Sequence, residues 1–157
     1  DSIKARIPTM KTKIFITVLS ALLITLDQLT KYFALTYLPN NPRFLLEYSQ
    51  NPGIAFGIAL PKIILIILTI VLIPLIYYIA KTELDQKKPL ARAIPILIIA
   101  GAIGNLLDRF THGFVIDFIK IGPWPNFNIA DIYISTAVLL AIVFYGRIVR
   151  TKKHDKH

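Results

Sequence analysis

Four long apolar runs dominate this chain, and runs of that length leave a polypeptide little choice but helix. In lipid, every backbone N–H and C=O must be bonded within its own segment. Matched to the ~20 residues a helix needs to cross a bilayer, the runs cover residues 14–38, 62–80, 90–107 and 129–149. Their apolar residues come in blocks and not in a strand or amphipathic period. Charged residues make up 17% of the 157 positions, where a soluble domain would carry about a quarter. The expected fold is an all-α integral membrane protein, four transmembrane helices with a small extended extracytoplasmic segment. Pro74 predicts a kink in the second helix. The small-residue stretch Ala100-Gly101-Ala102-Ile103-Gly104 predicts close helix packing in the third, which also contains Pro95.

The net charge of +9 is a topology signal. Thirteen basic residues fall on one side: Lys4, Arg6, Lys11, Lys13, Lys81, Lys87, Lys88, Arg92, Arg147, Arg150, Lys152, Lys153 and Lys156. Arg43, Lys62, Arg109 and Lys120 fall on the other, and Lys31 lies inside the first run. By the positive-inside rule both termini are cytoplasmic. The charge would attract anionic lipid and does not call for nucleic acid. Lys11, Lys13 and the run after them could open a cleavable signal peptide, but no small-residue cleavage site follows, so a retained helix is expected. Residues 1–9 precede Met10 and read as a non-native or disordered leader. A membrane domain spans 10–150, and 151–157 form a basic cytoplasmic tail. No cysteine is present, and His112, His154 and His157 are scattered without metal-ligand spacing, so neither a metal nor a cofactor is expected.

Chemistry concentrates in two polar segments on the outer side, 39–61 and 108–128. The first is proline-rich and suits an extended structure at the interface; the second has Trp124 as an interfacial anchor. The chain has nine acidic residues, yet Asp108, Asp117 and Asp131 gather in or beside the second segment. A carboxylate at membrane depth costs roughly 2.5–3.5 kcal/mol on insertion scales. Asn105, Asp108 and Arg109 share a helix face, either as a surface pair with an amide beside it or as part of a site. Asn128 and Asp131 open the fourth helix, as a cap, as a site, or as both; Ser135 lies one turn further within reach of Asp131. Asp117 interrupts an apolar run, and pattern alone does not settle its burial. Two neighbouring carboxylates would share a proton, as an aspartyl hydrolase requires. Asp27 and Lys31, at i and i+4, form either a structural ion pair or a functional one. Asn51, in Asn51-Pro52-Gly53, is a turn former or a substrate donor. Ser20, Ser49 and Ser135 lack a neighbouring base, which disfavours a serine nucleophile.

Five segments together resemble the lipoprotein signal peptidases (signal peptidase type II). They are Asp27-Gln28-Leu29-Thr30-Lys31, Asn51-Pro52-Gly53-Ile54-Ala55-Phe56, Gly104-Asn105-Leu106-Leu107-Asp108-Arg109, Val115-Ile116-Asp117-Phe118 and Phe127-Asn128-Ile129-Ala130-Asp131. Each is weak alone; in this order they cover about 14–150. The departures are Ile116, where valine is usual, and Pro52 inside the asparagine turn. The resemblance implies a monomer without cofactor or metal: an aspartyl endopeptidase of the bacterial cytoplasmic membrane, with its active site at the outer face. Its substrates would be prolipoproteins, cut just before a diacylglyceryl-bearing cysteine, with the lipid chains docked between helices and segment 39–61 closed over the peptide. The resemblance, and not the residues alone, selects Asp117 and Asp131 as the catalytic pair over Asp108. It makes Asn51, Gly53, Asn105, Asp108, Arg109 and Asn128 substrate-binding or dyad-supporting, and Asp27 and Lys31 a structural polar pair. A proton-coupled transporter, which would centre on Asp27 and Lys31, and a lipid-binding scaffold are the rivals. The absence of an inverted repeat weighs against the transporter.

Overall fold

Three long helices carry the apolar runs. α1 (Met10–Tyr37), α2 (Lys62–Glu83) and α3 (Pro89–Thr111) are each long and apolar enough to cross a membrane. The chain is seen here in a computed structural model that describes residues 10–53 and 60–150. The expectations for the leader 1–9, for the tail 151–157 and for positions 54–59 of the outer segment lie outside the described residues. α2 runs through Pro74 and α3 through Pro95 without a break in the helix.

The last apolar run divides. α4 (Ile129–Val143) stops at Phe144, and a one-turn helix α5 (Tyr145–Ile148) follows. The 15 residues of α4 reach only about 22 Å, short of a hydrocarbon core of about 30 Å.

The all-α expectation needs one correction: the two polar segments pair as a small antiparallel sheet. β1 (Leu46–Asn51) and β2 (Val115–Ile119) align Ser49 with Asp117 and Asn51 with Val115, with an irregularity between Leu46 and Ser49. Sheet hydrogen bonds join residues far apart in sequence, so nothing local announces them. Ile116 and Phe118 pack on Ala34 and Leu38 of α1 in one apolar cluster. Side chains alternate along a strand, so Asp117 turns to the opposite face. Gly113, at φ +89°, makes the reversal from α3 into β2, a conformation that a Cβ would oppose.

α3 is the centre of the bundle, packed against α1, α2 and α4. Of its most apolar stretch, 44% is buried, against 6% for α1. The latter instead turns Leu22, Leu26 and Leu29 outward, as a lipid-facing helix does. The expected small-residue contact is present and involves polar partners. A Cβ on Gly104 would lie 2.3 Å from the Asp27 carboxylate, and one on Gly101 would lie 2.6 Å from the Ala130 carbonyl. Gly104→Ala is therefore expected to lower stability by about 1–3 kcal/mol, the usual cost of overpacking. Gly146→Ala, with nothing within 4 Å, should leave the thermal midpoint in detergent within a degree or two of wild type.

At the end opposite the sheet, Arg150 clasps the connection between α2 and α3. Its Nε donates to the Leu84 carbonyl (3.0 Å) and its Nη2 to the Lys81 carbonyl (2.6 Å). Lys11, Lys13, Lys81, Lys87, Lys88, Arg92, Arg147 and Arg150 all belong to this end, so the basic residues do segregate.

Candidate active site

Buried polar side chains from four elements meet where α1, α3, β2 and the start of α4 converge. Deepest are three charges. Lys31 Nζ lies 2.9 Å from Asp27 Oδ2 and 2.9 Å from Asp108 Oδ2. It donates its third bond to Asn105 Oδ1 at 2.8 Å, which uses all three ammonium protons. Asp27, Lys31 and Asp108 are each 1% exposed or less. In such surroundings an unpaired charge is not tolerated, so these three hold one another.

The expected Asp27–Lys31 pair is thus a triad, and Asp108 completes it. Asp108 Oδ1 accepts from Gln28 (3.0 Å), and Asp108 Oδ2 accepts the Ile116 N–H at 3.1 Å. Asp108 therefore fixes the entry of β2 one residue before Asp117. Asp27 Oδ1 accepts the Ala130 N–H at 3.0 Å and so ties α1 to the first turn of α4. Gln28, which the sequence reading did not assign to the site, bridges the two carboxylates by also donating to Asp27 Oδ2 at 3.2 Å. Its only signal was position: a third polar side chain within one turn of a membrane-length run.

Above this triad sits a second pair of carboxylates with a different environment. Asp117, 2% exposed, accepts from the Asn128 amide at 2.7 Å and from the Asn51 amide at 2.9 Å. Asp131 accepts from the Asn105 amide at 2.9 Å and from the Asn128 backbone N–H at 3.2 Å. Among the described residues the Ser135 hydroxyl makes no hydrogen bond to this pair. Asn128 also accepts the Asp131 N–H at 3.0 Å, closing a capping box. Capping and site-building are here the same contacts. Asn105 and Asn128 are joined at 3.2 Å, so the two carboxylates hang on one amide network.

Among the described residues no cation bonds directly to Asp117 or Asp131. Burial, and then the negative charge of Asp131, push the Asp117 carboxyl up to about 6, against the opposing pull of the Asn51 and Asn128 amides and of Lys31. Each of the four oxygens has one neutral donor, which leaves it room to engage a water or a substrate group.

Local folding explains the placement. Phe127 pairs with Ile119 through two backbone bonds (2.8 and 3.1 Å), so the chain doubles back along β2 and delivers Asn128 against Asp117. Asn51 ends β1 and accepts the Gly53 N–H at 3.1 Å, so it is turn former and carboxylate donor together. Arg109 reaches over this turn to the Gly53 carbonyl (3.3 Å) and back to the Asn105 carbonyl (3.2 Å). Its Nε is buried without a partner among the described residues. Among the described residues, no group of three or more His, Cys, Asp or Glu side chains could hold a metal ion.

Fold and site together define a polytopic membrane protein with a carboxylate pair on an amide network at one end of its bundle. Residues 19–146 match the family model described as signal peptidase (SPase) II. The lipoprotein signal peptidase of Moorella thermoacetica is 37% identical over 129 residues, covering 78% of this chain and 86% of that protein. That of Chlorobium phaeovibrioides is 38% identical over 146 residues, with 80% and 86% covered. Among solved structures, a bacterial membrane enzyme determined by the in meso method at 2.3 Å resolution superposes with a TM-score of 0.75. It is 27% identical, and the match covers 94% of each chain. This chain belongs to the signal peptidase II family.

Proposed function

We propose that this protein is an aspartic-type endopeptidase in which Asp117 and Asp131 act on water and substrate directly. The family supplies the overall reaction, removal of signal peptides from prolipoproteins. One observation carries the assignment: among the described residues Asp117 and Asp131 are held by neutral donors alone, whereas Asp27 and Asp108 are neutralised by Lys31. The site residues then divide by role. Asn51, Asn105 and Asn128 orient the pair, Arg109 holds the Gly53 turn beside it through the Gly53 carbonyl, and Gly53 shapes the rim. The triad that contains Asp27, Lys31 and Asp108 is scaffold. Its groups are saturated, which argues against a proton relay through Asp27 and Lys31.

In the reaction, Asp117 holds the shared proton and Asp131 acts as the base. Asp131 takes a proton from water as its oxygen attacks the scissile carbonyl carbon, while Asp117 protonates the carbonyl oxygen. The resulting gem-diol returns a proton to Asp117 as it collapses. Asp131 passes its own proton to the departing nitrogen as the C–N bond breaks. No covalent intermediate forms.

The 20 residues from Ile129 to Ile148, α4 with α5, would reach about 30 Å and serve as the fourth span. The charge asymmetry supports a topology with both termini in the cytoplasm and the carboxylates at the outer face of the bacterial cytoplasmic membrane. There a monomer would meet a substrate whose acyl chains, lodged between helices, place the cysteine at the carboxylates.

The test is cleavage of a diacylglyceryl-modified prolipoprotein beside its unlipidated precursor. Wild type should cut only the lipidated form, before the modified cysteine. Asp131→Asn should cut neither, and a chelator should change nothing. Near-normal cleavage by folded Asp131→Asn would remove this residue from the mechanism. The pH profile follows from Asp117: kcat/KM should fall about tenfold per pH unit on the alkaline side of about 6, as the catalytic proton is lost. A rate that stays flat from pH 6 to 9 would mean that Asp117 does not hold that proton.

A further inference from the structure

We infer that the cleft between the N-terminal halves of α1 and α3 binds an anionic phospholipid, its phosphodiester headgroup on Lys11 and Arg92 and its acyl chain against Phe15, Ile16, Leu19 and Ile96. These residues line a cavity of about 280 Å³. It is distinct from the carboxylate site: Lys11 and Asp27 are sixteen residues apart on one helix, about 24 Å along its axis.

Three observations select the occupant. The lining is graded by depth: Lys11 and Arg92 sit in the first turns of α1 and α3, and Leu19 lies two turns, about 12 Å, further in. A basic rim over an apolar wall matches a headgroup at the membrane surface over its acyl chain. Among the described residues neither cation is ion-paired; the ion pair at this end joins Lys88 to Asp85 at 3.6 Å. Finally, α3 opens with no acidic residue in its first turn and no side-chain cap, so its N-terminal dipole adds to the uncompensated positive potential. A neutral lipid would leave the cations unused, and a soluble anion would leave the apolar wall unused.

The test is competition between spin-labelled phosphatidylglycerol and phosphatidylcholine for the full protein in phosphatidylcholine vesicles. Each cation near an anionic headgroup is worth a factor of about five. Lys11→Gln/Arg92→Gln, which removes two, should therefore reduce the preference for phosphatidylglycerol by about twenty-fivefold. Lys81→Gln/Lys87→Gln, which removes the same charge at the same end, should reduce it less than about twofold. Ala93→Trp fills the cleft at constant charge and should also abolish the preference, which decides the matter if the first double variant fails to fold. Equal losses in the two double variants would reduce the effect to diffuse surface charge and overturn the site. Full preference in folded Ala93→Trp, or displacement of the labelled lipid by millimolar inorganic phosphate, would overturn it too.

Discussion

Asp117→Asn should abolish cleavage and, above about pH 6, raise the melting temperature of the protein. The loss of activity follows from the assigned role, because an amide neither holds nor returns the catalytic proton. General acid–base catalysis by one side chain is worth about 10²–10⁴-fold, and turnover should fall by at least that much. The stability gain follows from linkage. Native burial and the Asp131 charge push the Asp117 carboxyl from 3.8 up to about 6, so the native protein favours its neutral form more than the unfolded chain does. Its contribution to stability is full below about 3.8, is lost as pH rises, and is gone above about 6. At pH 8 the ionised wild-type carboxylate therefore costs on the order of 3 kcal/mol, which a neutral amide of the same shape avoids. Thermal unfolding at pH 4 and pH 8 checks the sign. The variant should melt with wild type at pH 4 and above it at pH 8. A variant that melts lower at both values would show that Asp117 supports the fold, and the loss of activity would then say nothing about catalysis.

The spans were easy to read from sequence and the site was not, for one physical reason. Lipid imposes its demand residue by residue, so α1, α2 and α3 announce themselves as blocks of apolar side chains. The break at Phe144 does not, because the residues around it are apolar whether or not the helix continues. Sheet pairing is long-range, and β2 hides its alternation. Val115, Ile116, Asp117 and Phe118 are all buried, Ile116 and Phe118 against α1 and the other two on the opposite face, so no face of the strand is marked by polarity. That also explains why Asp108 and Asp117 were indistinguishable as residues. What separates them is which partners the fold brings: Lys31 and Gln28 from α1 to Asp108, and two asparagine amides from β1 and α4 to Asp117. Asn128 was legible as a cap and Asn51 as a turn former, and both are what they looked like. Their second role depends on where the sheet puts them.

The largest stability effect should come from a residue that touches no substrate. Lys31→Met keeps the length of the side chain and removes the one cation among two carboxylates that are 0% and 1% exposed. Removing one partner of a buried ion pair costs about 3–5 kcal/mol, and here both Asp27 and Asp108 lose theirs. Asn105 also loses a donor, and through its amide the disturbance reaches Asp131. Asp27→Asn should be milder, because Lys31 and Asp108 remain as a neutral pair and the new side-chain oxygen can still accept the Ala130 N–H; its cost is the NH2 that then faces the Lys31 and Gln28 donors. The expected order of thermal midpoints in detergent is wild type, then Asp27→Asn, then Lys31→Met well below both. Turnover per folded molecule should stay near wild type in Asp27→Asn. A proton relay through this pair predicts the reverse, a stable Asp27→Asn protein without activity. The triple variant Asp27→Asn/Lys31→Met/Asp108→Asn separates charge from packing: with no buried charge left to neutralise, it should regain part of the stability that Lys31→Met alone loses. If it melts lower still, the triad contributes net stability through its hydrogen bonds, and not merely the mutual neutralisation of charges that burial has made costly.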